Sequence, residues 1–138
     1  MTEILDASVA VKWFVREGEA GLAAADEVLH RVLRAPEHFA VPALFVYEVH
    51  AVLCRRRRSA AEVNEDARAL WALALPVVQP DQRLLELAAD IALEHRLTAY
   101  DAAYAALARH LGGIWLTFDE PAYRRIRRLH IARLLPLA

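Results

Sequence analysis

The sequence predicts an α/β fold in which a mainly parallel central β-sheet of about five strands is flanked by helices. Short apolar runs alternate along the chain with longer segments whose apolar residues recur at helical spacing. Carboxylates follow closely after two of these runs, and ligands bind at the carboxyl ends of parallel strands. The chain of 138 residues has the length of one domain, so we expect residues 1–138 to form a single domain with an acidic site at that edge.

The first part of the chain contains two predicted strands and three predicted helices. Gly18 and Gly21 separate the first two helices, and Pro42 closes the second strand. The predicted elements are a strand at 4–5, a helix at 7–15, a helix from 22 to near 36, a strand at 39–41 and a helix at 43–57.

In the second part, helices alternate with three further strands. Ser59, Asp81 and Thr98 stand where helix N-caps are expected, and Pro121 suits the first turn of a helix capped by Asp119. The predicted elements are a helix after 59, a strand at 77–78, a helix at 82–96, a helix from 99 to the glycines at 112–113, a strand at 114–117, a helix after 119 and an edge strand at 131–137.

The composition excludes a general electrostatic attraction to nucleic acid or to anionic membranes, because the formal net charge is only −1. Contacts with nucleic acid must therefore come from local clusters of arginine. The single Cys54 cannot form an internal disulfide, which is typical of a reducing compartment. No secretory signal and no run of ~18 apolar residues is present, so we expect a cytoplasmic protein that does not enter membranes.

Three acidic residues stand at predicted helix starts. Asp6 follows the first strand, Asp119 follows the fourth, and both are also expected N-caps. Asp101 comes three residues after Thr98, which is the spacing of a capping box. Because capping alone would account for each of them, a functional interpretation needs another acid in the same place.

Glu48 is the acid that capping does not explain. Its neighbours on one side of the predicted helix are apolar: Leu44, Phe45, Val49, Val52 and Leu53. An isolated charge within an apolar face is costly, so Glu48 needs an arginine such as Arg55, a helix N-terminus, a proton or a cation.

The sequence therefore predicts one acidic pocket built from four carboxylates, which are Asp6, Glu48, Asp101 and Asp119. Clustered carboxylates repel one another unless they share protons or bind a hard cation. Ligation by oxygen alone favours Mg²⁺ or Mn²⁺ over Zn²⁺, and no histidine stands at a metal-ligand spacing. We expect these four side chains to be the metal ligands.

Four segments of the chain resemble the motifs of a known family. In order they are Ile4-Leu5-Asp6-Ala7-Ser8, Tyr47-Glu48-Val49 with Leu53, the segment from Thr98 to Ala108, and Leu116-Thr117-Phe118-Asp119. They are similar to the four motifs of PIN-domain proteins, and most similar to those of the VapC-type toxins of bacterial and archaeal toxin–antitoxin pairs. The resemblance extends over essentially the whole chain, and its third motif is the most specific.

The resemblance implies an endoribonuclease that depends on Mg²⁺ or Mn²⁺ and that, as the toxin of such a pair, hydrolyses RNA and inhibits translation. It also implies a homodimer and a cognate VapB-type antitoxin. The acidic residues of the family align with Asp6, Glu48, Asp101 and Asp119, which the resemblance implies to be the catalytic groups, and Ser8 and Thr117 match polar positions that support them. One departure is Ala51, where many relatives carry a supporting asparagine.

The arginine run at the end of the Glu48 helix has two interpretations. It consists of Arg55, Arg56, Arg57 and Arg58. These side chains either steer RNA phosphate toward the pocket or form a solvated helix end that complements the helix dipole. The arginines within 124–128 allow the same two interpretations.

Two alternative functions stay open at this point. A non-catalytic PIN-fold RNA-binding or regulatory dimer would keep the acids for folding, and Ala51 leaves room for it. The second alternative is a phosphoryl-transfer domain whose nucleophile is an aspartate after the first strand. It would normally carry a second aspartate where Ser8 stands or a well-placed lysine, and Lys12 is the only lysine.

Overall fold

The computed structural model describes residues 1–138 and contains five strands and seven α-helices. The strands are β1 (Glu3–Leu5), β2 (Phe39–Pro42), β3 (Val77–Val78), β4 (Ile114–Thr117) and β5 (Ala132–Leu134). The helices are α1 (Ala7–Phe14), α2 (Leu22–Arg34), α3 (Ala43–Arg56), α4 (Ala60–Ala72), α5 (Gln82–His95), α6 (Ala99–Leu111) and α7 (Glu120–Ile126).

All five strands form one sheet in the order β3-β2-β1-β4-β5, and every neighbouring pair is parallel. The central strand β1 pairs with β2 through Ile4 and Ala40 and with β4 through Leu5 and Leu116. The chain builds outward from β1 to β3 and then continues with β4 on the other side of β1. The strand order therefore reverses between β1 and β4, which confirms the predicted α/β class and locates its ligand crevice.

The two strands beside this crevice are buried on both faces. Ile4, Leu5, Trp115 and Leu116 have 0% exposure. Helix α6 packs on β1, β2 and β4, whereas α1 packs on β4 and against α2 and α3. Burial on both faces explains why these strands appear in the sequence as continuous apolar runs and not as alternating patterns.

Helix α6 approaches the sheet with a face made largely of alanine. Its buried alanines are Ala102, Ala105, Ala106 and Ala108. Small side chains let a helix backbone lie close to its neighbours, so the first turn of α6 stands beside the carboxyl ends of the strands on which it packs.

Four of the five predicted N-caps are confirmed by the following bonds, and the fifth, Asp6, is confirmed at the site described below. A side-chain oxygen accepts a backbone N–H within the first helical turn at distances of 3.3 Å for Ser59, 2.8 Å for Asp81, 3.0 Å for Thr98 and 3.0 Å for Asp119. These bonds satisfy N–H groups that have no partner inside the helix, and they fix where each helix begins.

Strand β5 is shorter than predicted, covering Ala132–Leu134 and not 131–137. The N–H of Leu135 still donates to β4 at 2.9 Å, but Pro136 has no N–H to donate. The carbonyl of Leu137 instead accepts a bond from the loop before α2 at 3.0 Å. The ladder therefore ends three residues early, while the tail stays attached to the domain.

No helix combines the length and the apolar character that crossing a bilayer requires.

The pairing of β1 with β4 predicts that two adjacent glycines tolerate substitution to different degrees. A Cβ at Gly113 would lie 2.1 Å from the carbonyl oxygen of Thr2, which accepts a 3.0 Å bond from Ile114 at the start of β4. A Cβ at Gly112 would meet no atom within 4 Å, although its φ of 64° disfavours other residues. We expect Gly113→Ala to cost about 3 kcal/mol of unfolding free energy and Gly112→Ala about 1 kcal/mol.

Urea unfolding of both variants measures this difference. Equal losses, or a larger loss for Gly112→Ala, would contradict the role assigned to the Thr2 contact.

Candidate active site

Four carboxylates share one electrostatic environment at the carboxyl edge of the sheet. Asp6 directly follows β1, Asp119 follows β4, Asp101 lies in the first turn of α6, and Glu48 lies in the middle of α3. The charge of Glu48 helps to raise the pKa of Asp6, and the charge of Asp101 helps to raise the pKa of Glu48. The charges of Asp119 and Asp6 in turn help to raise the pKa of Asp101. The fold thus brings together four acids that are distant in the sequence.

Asp6 is held by hydrogen bonds to both carboxylate oxygens. Its Oδ2 accepts the backbone N–H of Ser8 at 3.0 Å, as expected of an N-cap of α1. Its Oδ1 accepts the indole N–H of Trp115, from the neighbouring strand β4, at 3.1 Å. With a relative exposure of 9%, Asp6 is a buried acid whose orientation is fixed from two sides.

Ser8 and Thr117 join the two strand ends on either side of the crevice. The hydroxyl of Ser8 accepts the N–H of Phe118 at 3.2 Å, which ties the start of α1 to the end of β4. The hydroxyl of Thr117, with 0% exposure, accepts the N–H of Asp119 at 3.0 Å. Both side chains therefore shape the backbone that carries Asp6 and Asp119.

Glu48 has a different partner from those considered in the sequence. Its Oε1 accepts the hydroxyl hydrogen of Tyr104, from α6, at 2.6 Å. Neither Arg55 nor a helix N-terminus contacts it. Glu48 also lies at the half-buried margin of the α3 face, because the fully buried row consists of Phe45, Val49 and Leu53.

Asp101 takes part in only one half of the expected capping box. Its backbone N–H donates to the hydroxyl of Thr98 at 3.0 Å, but no backbone N–H donates to its carboxylate. The carboxylate of Asp101 is therefore not used to cap the helix. The guanidinium of Arg125 donates to the carbonyl of Arg96, and its positive charge opposes the effect of burial on the pKa of Asp101.

Burial raises the pKa values of Asp6, Glu48 and Asp101 above the ordinary carboxyl range, and repulsion among the carboxylates adds to this effect. Hydrogen bonds from Ser8 and Trp115 offset part of it at Asp6. Burial and the nearby carboxylates also raise the pKa of Tyr104, so its hydroxyl keeps its proton and acts as a donor. When ionised, the carboxylates of the site therefore repel one another and are poorly hydrated.

The donor set fits a hard divalent cation in its chemistry. It consists of carboxylate oxygens alone, which suits Mg²⁺ or Mn²⁺, and a cation would relieve their repulsion. No three His, Cys, Asp or Glu side chains stand close enough together to hold an ion. The fit therefore rests on ligand type and shared electrostatics, and coordination is not preformed.

The sequence pointed to neither Tyr104 nor Trp115 as part of the site. Both were interpretable as packing residues, because aromatics in a helix or buried strand usually are. Tyr104 stands three residues after Asp101 on α6, a spacing that places the two side chains on one face. Nothing in the pattern of β4 indicates that the indole of Trp115 reaches Asp6.

The arginine run divides into two groups in the structure. Arg57 donates to the carboxylate of Asp66 at 2.7 Å and to the carbonyl of Phe14 at 2.7 Å, so its guanidinium is engaged within the fold. The side chains of Arg55, Arg56 and Arg58 are exposed.

Lys12 does not supply the cation that an aspartate nucleophile would need. Its ammonium lies 3.5 Å from Glu19 and 4.8 Å from the ring centre of Phe118, and it makes no contact with Asp6. Ala51 is exposed one turn beyond Glu48 and brings no polar atom to the site.

The raised pKa of Asp101 predicts a stability that depends on pH. A carboxyl whose pKa is higher in the folded state destabilises the fold once it ionises, so stability falls as the pH rises from the ordinary value of 3.8 through the folded pKa. In metal-free protein, we expect Asp101→Asn to increase the unfolding free energy at pH 7. The increase should vanish near pH 3, where the carboxyl is protonated in both states.

Thermal or urea unfolding at the two pH values measures the effect, with Asp90→Asn on the exposed side of α5 as the matched control. A loss of stability at pH 7 in the Asp101 variant would contradict the prediction.

The fold occurs in solved structures of low sequence identity. A toxin–antitoxin complex from Klebsiella pneumoniae has a TM-score of 0.72 at 15% identity, covering 99% of this chain and 100% of that one. FitAcB from Neisseria gonorrhoeae has a TM-score of 0.72 at 16% identity, covering 91% and 94%. VapBC2 from Rickettsia felis bound to a fragment of promoter DNA has a TM-score of 0.71 at 12% identity, covering 99% and 100%.

None of the curated proteins matches the sequence. The sequence profile of the PIN domain, by contrast, matches residues 4–129, a segment that includes all four carboxylates and every element from α1 to α7. The chain therefore belongs to the PIN domain family.

Proposed function

We propose that this protein is an endoribonuclease dependent on Mg²⁺ or Mn²⁺ and the toxin of a VapBC-type toxin–antitoxin pair that inhibits translation. The observation that carries the proposal is the convergence of four acids, without histidine or cysteine, at the point where the strand order reverses. Membership of the PIN domain family supports a nuclease as the general class.

In this proposal four carboxylates hold the cation: Asp6, Glu48, Asp101 and Asp119. A divalent cation supplies stabilisation of negative charge on the attacked phosphate and makes water more acidic. Asp6 and Asp119 are oriented by backbone and hydroxyl contacts from Ser8 and Thr117, so two ligands are held on adjacent strand ends. A raised carboxyl pKa makes binding pH-dependent, because cation and proton compete for the same oxygens.

In this proposal, arginines from two parts of the chain bind the RNA backbone. Arg55, Arg56 and Arg58 are exposed at the end of the helix that carries Glu48, and Arg125 lies near Asp101. Guanidinium groups bind phosphate independently of base sequence, so these side chains would bind an RNA backbone that reaches the acids. Without such cations, the acids alone would repel the substrate.

Assembly forms the second half of the proposal. The structural neighbours named above include complexes of toxins with antitoxins. In this chain, Leu85 and Tyr100 are 61% and 66% exposed beside an apolar groove between α5, α6 and β3. Exposed apolar surface of this kind is typical of protein interfaces, and it supports a homodimer and a VapB-type antitoxin as partners.

A non-catalytic RNA-binding or regulatory dimer is the second candidate. It is favoured by the absence of a preformed group of three metal ligands and by the apolar Ala51. Burial and mutual repulsion of the acids oppose it, because without a cation the ionised form of Asp101 destabilises the fold.

RNA cleavage separates the two candidates. With structured RNA and Mg²⁺, we expect Asp6→Ala and Asp101→Asn to lower the cleavage rate by about 10²–10³-fold, the scale of losing one group that stabilises transition-state charge. A chelator should abolish cleavage, and Asp90→Asn should leave it unchanged. Cleavage that persists in chelator would sink the proposal, and RNA binding without any cleavage would favour the second candidate.

The arginine run predicts how RNA binding responds to salt. Each phosphate contact to a single strand contributes about 0.7 to the slope of log K against log salt. Replacing both Arg56 and Arg58 with glutamine should therefore flatten the slope by about 1.4. Arg57→Gln is the matched control, for which we expect an unchanged slope and a loss of about 1–3 kcal/mol in unfolding free energy.

Filter binding across a salt series, together with urea unfolding, measures both effects. A wild-type slope in the double variant would show that the run does not touch RNA.

A further inference from the structure

We propose that Tyr104 and Trp115 act together as positioning residues that fix the orientation of Glu48 and Asp6 for cation binding. This inference rests on the proposed function, since it concerns the same acidic site. It assigns a specific task to two aromatic side chains that packing alone would otherwise explain.

The first observation is where the two buried donors point. Trp115 has 0% exposure and Tyr104 1%, so each polar hydrogen must find a partner inside the protein. The Trp115 N–H donates to Oδ1 of Asp6 at 3.1 Å, and the Tyr104 hydroxyl donates to Oε1 of Glu48 at 2.6 Å. Both donors are thus directed at acids of the site.

The second observation is that the two aromatic rings form one unit. Their centroids are 5.6 Å apart and their planes differ by 10°, so the rings are stacked. The stack connects Asp6, at the end of β1, through β4 and α6 to Glu48 on α3. The relative placement of two acids from different elements is therefore set by rigid, buried rings.

The third observation is that the hydrogen bonds leave room for a cation. Each carboxylate oxygen can accept two bonds, so the oxygens of Asp6 that bind Ser8 and Trp115 each retain a lone pair. Oε2 of Glu48 accepts no hydrogen bond within the protein. The aromatic pair therefore orients the two acids without blocking them.

Trp13 provides an internal contrast. Its indole N–H is also buried, but it donates to the backbone carbonyl of Ala25 at 2.8 Å, away from the acids. Trp71 is 70% exposed. The chain thus carries three tryptophans in three settings, of which only Trp115 touches the site.

These three settings allow a test that does not depend on cleavage. In a ¹H–¹⁵N spectrum of the full chain, each indole N–H gives a separate resonance, which Trp→Phe variants assign. We expect Mg²⁺ to shift the Trp115 resonance saturably, with the same dissociation constant as the backbone amides near Asp6 and Asp101. The resonances of Trp13 and Trp71 should not move.

Calorimetric titration with Mn²⁺ then measures the effect of each donor. Groups that orient a metal ligand typically change the affinity ~10–100-fold, and we expect this loss for Tyr104→Phe and Trp115→Phe. Trp13→Phe should lower the melting temperature without changing the affinity. If Trp115→Phe fails to fold, the nearly isosteric Tyr104→Phe alone decides.

A double-mutant cycle separates positioning from packing. If Tyr104 acts through Glu48, then Tyr104→Phe should weaken Mn²⁺ binding by less than about 2-fold in a Glu48→Gln background. A merely structural tyrosine would cause the same loss in both backgrounds, which would overturn the inference.

The two proposals fail in distinguishable ways. Wild-type protein that binds neither Mg²⁺ nor Mn²⁺ would overturn both of them. If Tyr104→Phe and Trp115→Phe both bind the cation as tightly as the wild-type protein does, the positioning role alone would be overturned. Cation binding that depends on both aromatics, in a protein that cleaves no RNA, would uphold the positioning role and overturn the nuclease.

Discussion

Burial of carboxylates at one edge of the sheet, with repulsion among them in addition, is the constraint around which the site is built. Asp6, Glu48 and Asp101 are each harder to ionise than an exposed acid, because Asp6 is buried, Glu48 and Asp101 are half-buried, and each lies near another acid. A fold tolerates such a cluster only if hydrogen bonds, protons or a cation compensate for it. Most of the polar contacts around this edge serve that compensation.

The parallel sheet explains why the acids meet there. Because β1 and β4 are adjacent and parallel, the residues that follow them emerge at the same edge, and α1 and α7 begin at Asp6 and Asp119. Capping and ligation are therefore compatible. Each cap uses one carboxylate oxygen to satisfy a backbone N–H and leaves lone pairs for another partner.

Stability and function oppose each other at this edge. The features that would let the acids bind a cation, which are burial and mutual proximity, raise their pKa values and destabilise the cation-free fold. The hydrophobic core around Ile4, Leu5, Trp115 and Leu116 offsets that cost, and it also forms the low-dielectric wall behind the site. A strained cluster of charges on a rigid, buried sheet is typical of a site prepared for a ligand.

Much of this arrangement could be predicted from the sequence. The strand ends at Asp6 and Asp119 follow from apolar runs that stop at an acid, and the helix start near Asp101 follows from the Thr98 spacing. These signals are local. Because the carboxyl ends of parallel strands lie at the same edge of a sheet, the signals together predict that the acids share one location. Glu48 was recognisable because a charge interrupts an apolar helix face.

What could not be predicted depends on contacts between distant segments. Tyr104 reaches Glu48 across 56 positions and Trp115 reaches Asp6 across 109, and neither pairing leaves a periodic trace. Arg57 has the same sequence context as its three neighbours, yet it alone turns inward to Asp66 and Phe14. The early end of β5 likewise depends on a distant contact, because the carbonyl of Leu137 accepts a hydrogen bond from the N–H of Gly21.

A divalent cation that binds the four acids as one unit would stabilise the folded protein. The most direct measurement is the melting temperature of the protein across a Mg²⁺ series at pH 7, without RNA. A ligand that binds only the folded state raises stability as RT ln(1 + [L]/Kd), so the account predicts a melting temperature that climbs steadily once Mg²⁺ exceeds its dissociation constant. A melting temperature that is unchanged by Mg²⁺ and by Mn²⁺ would contradict it.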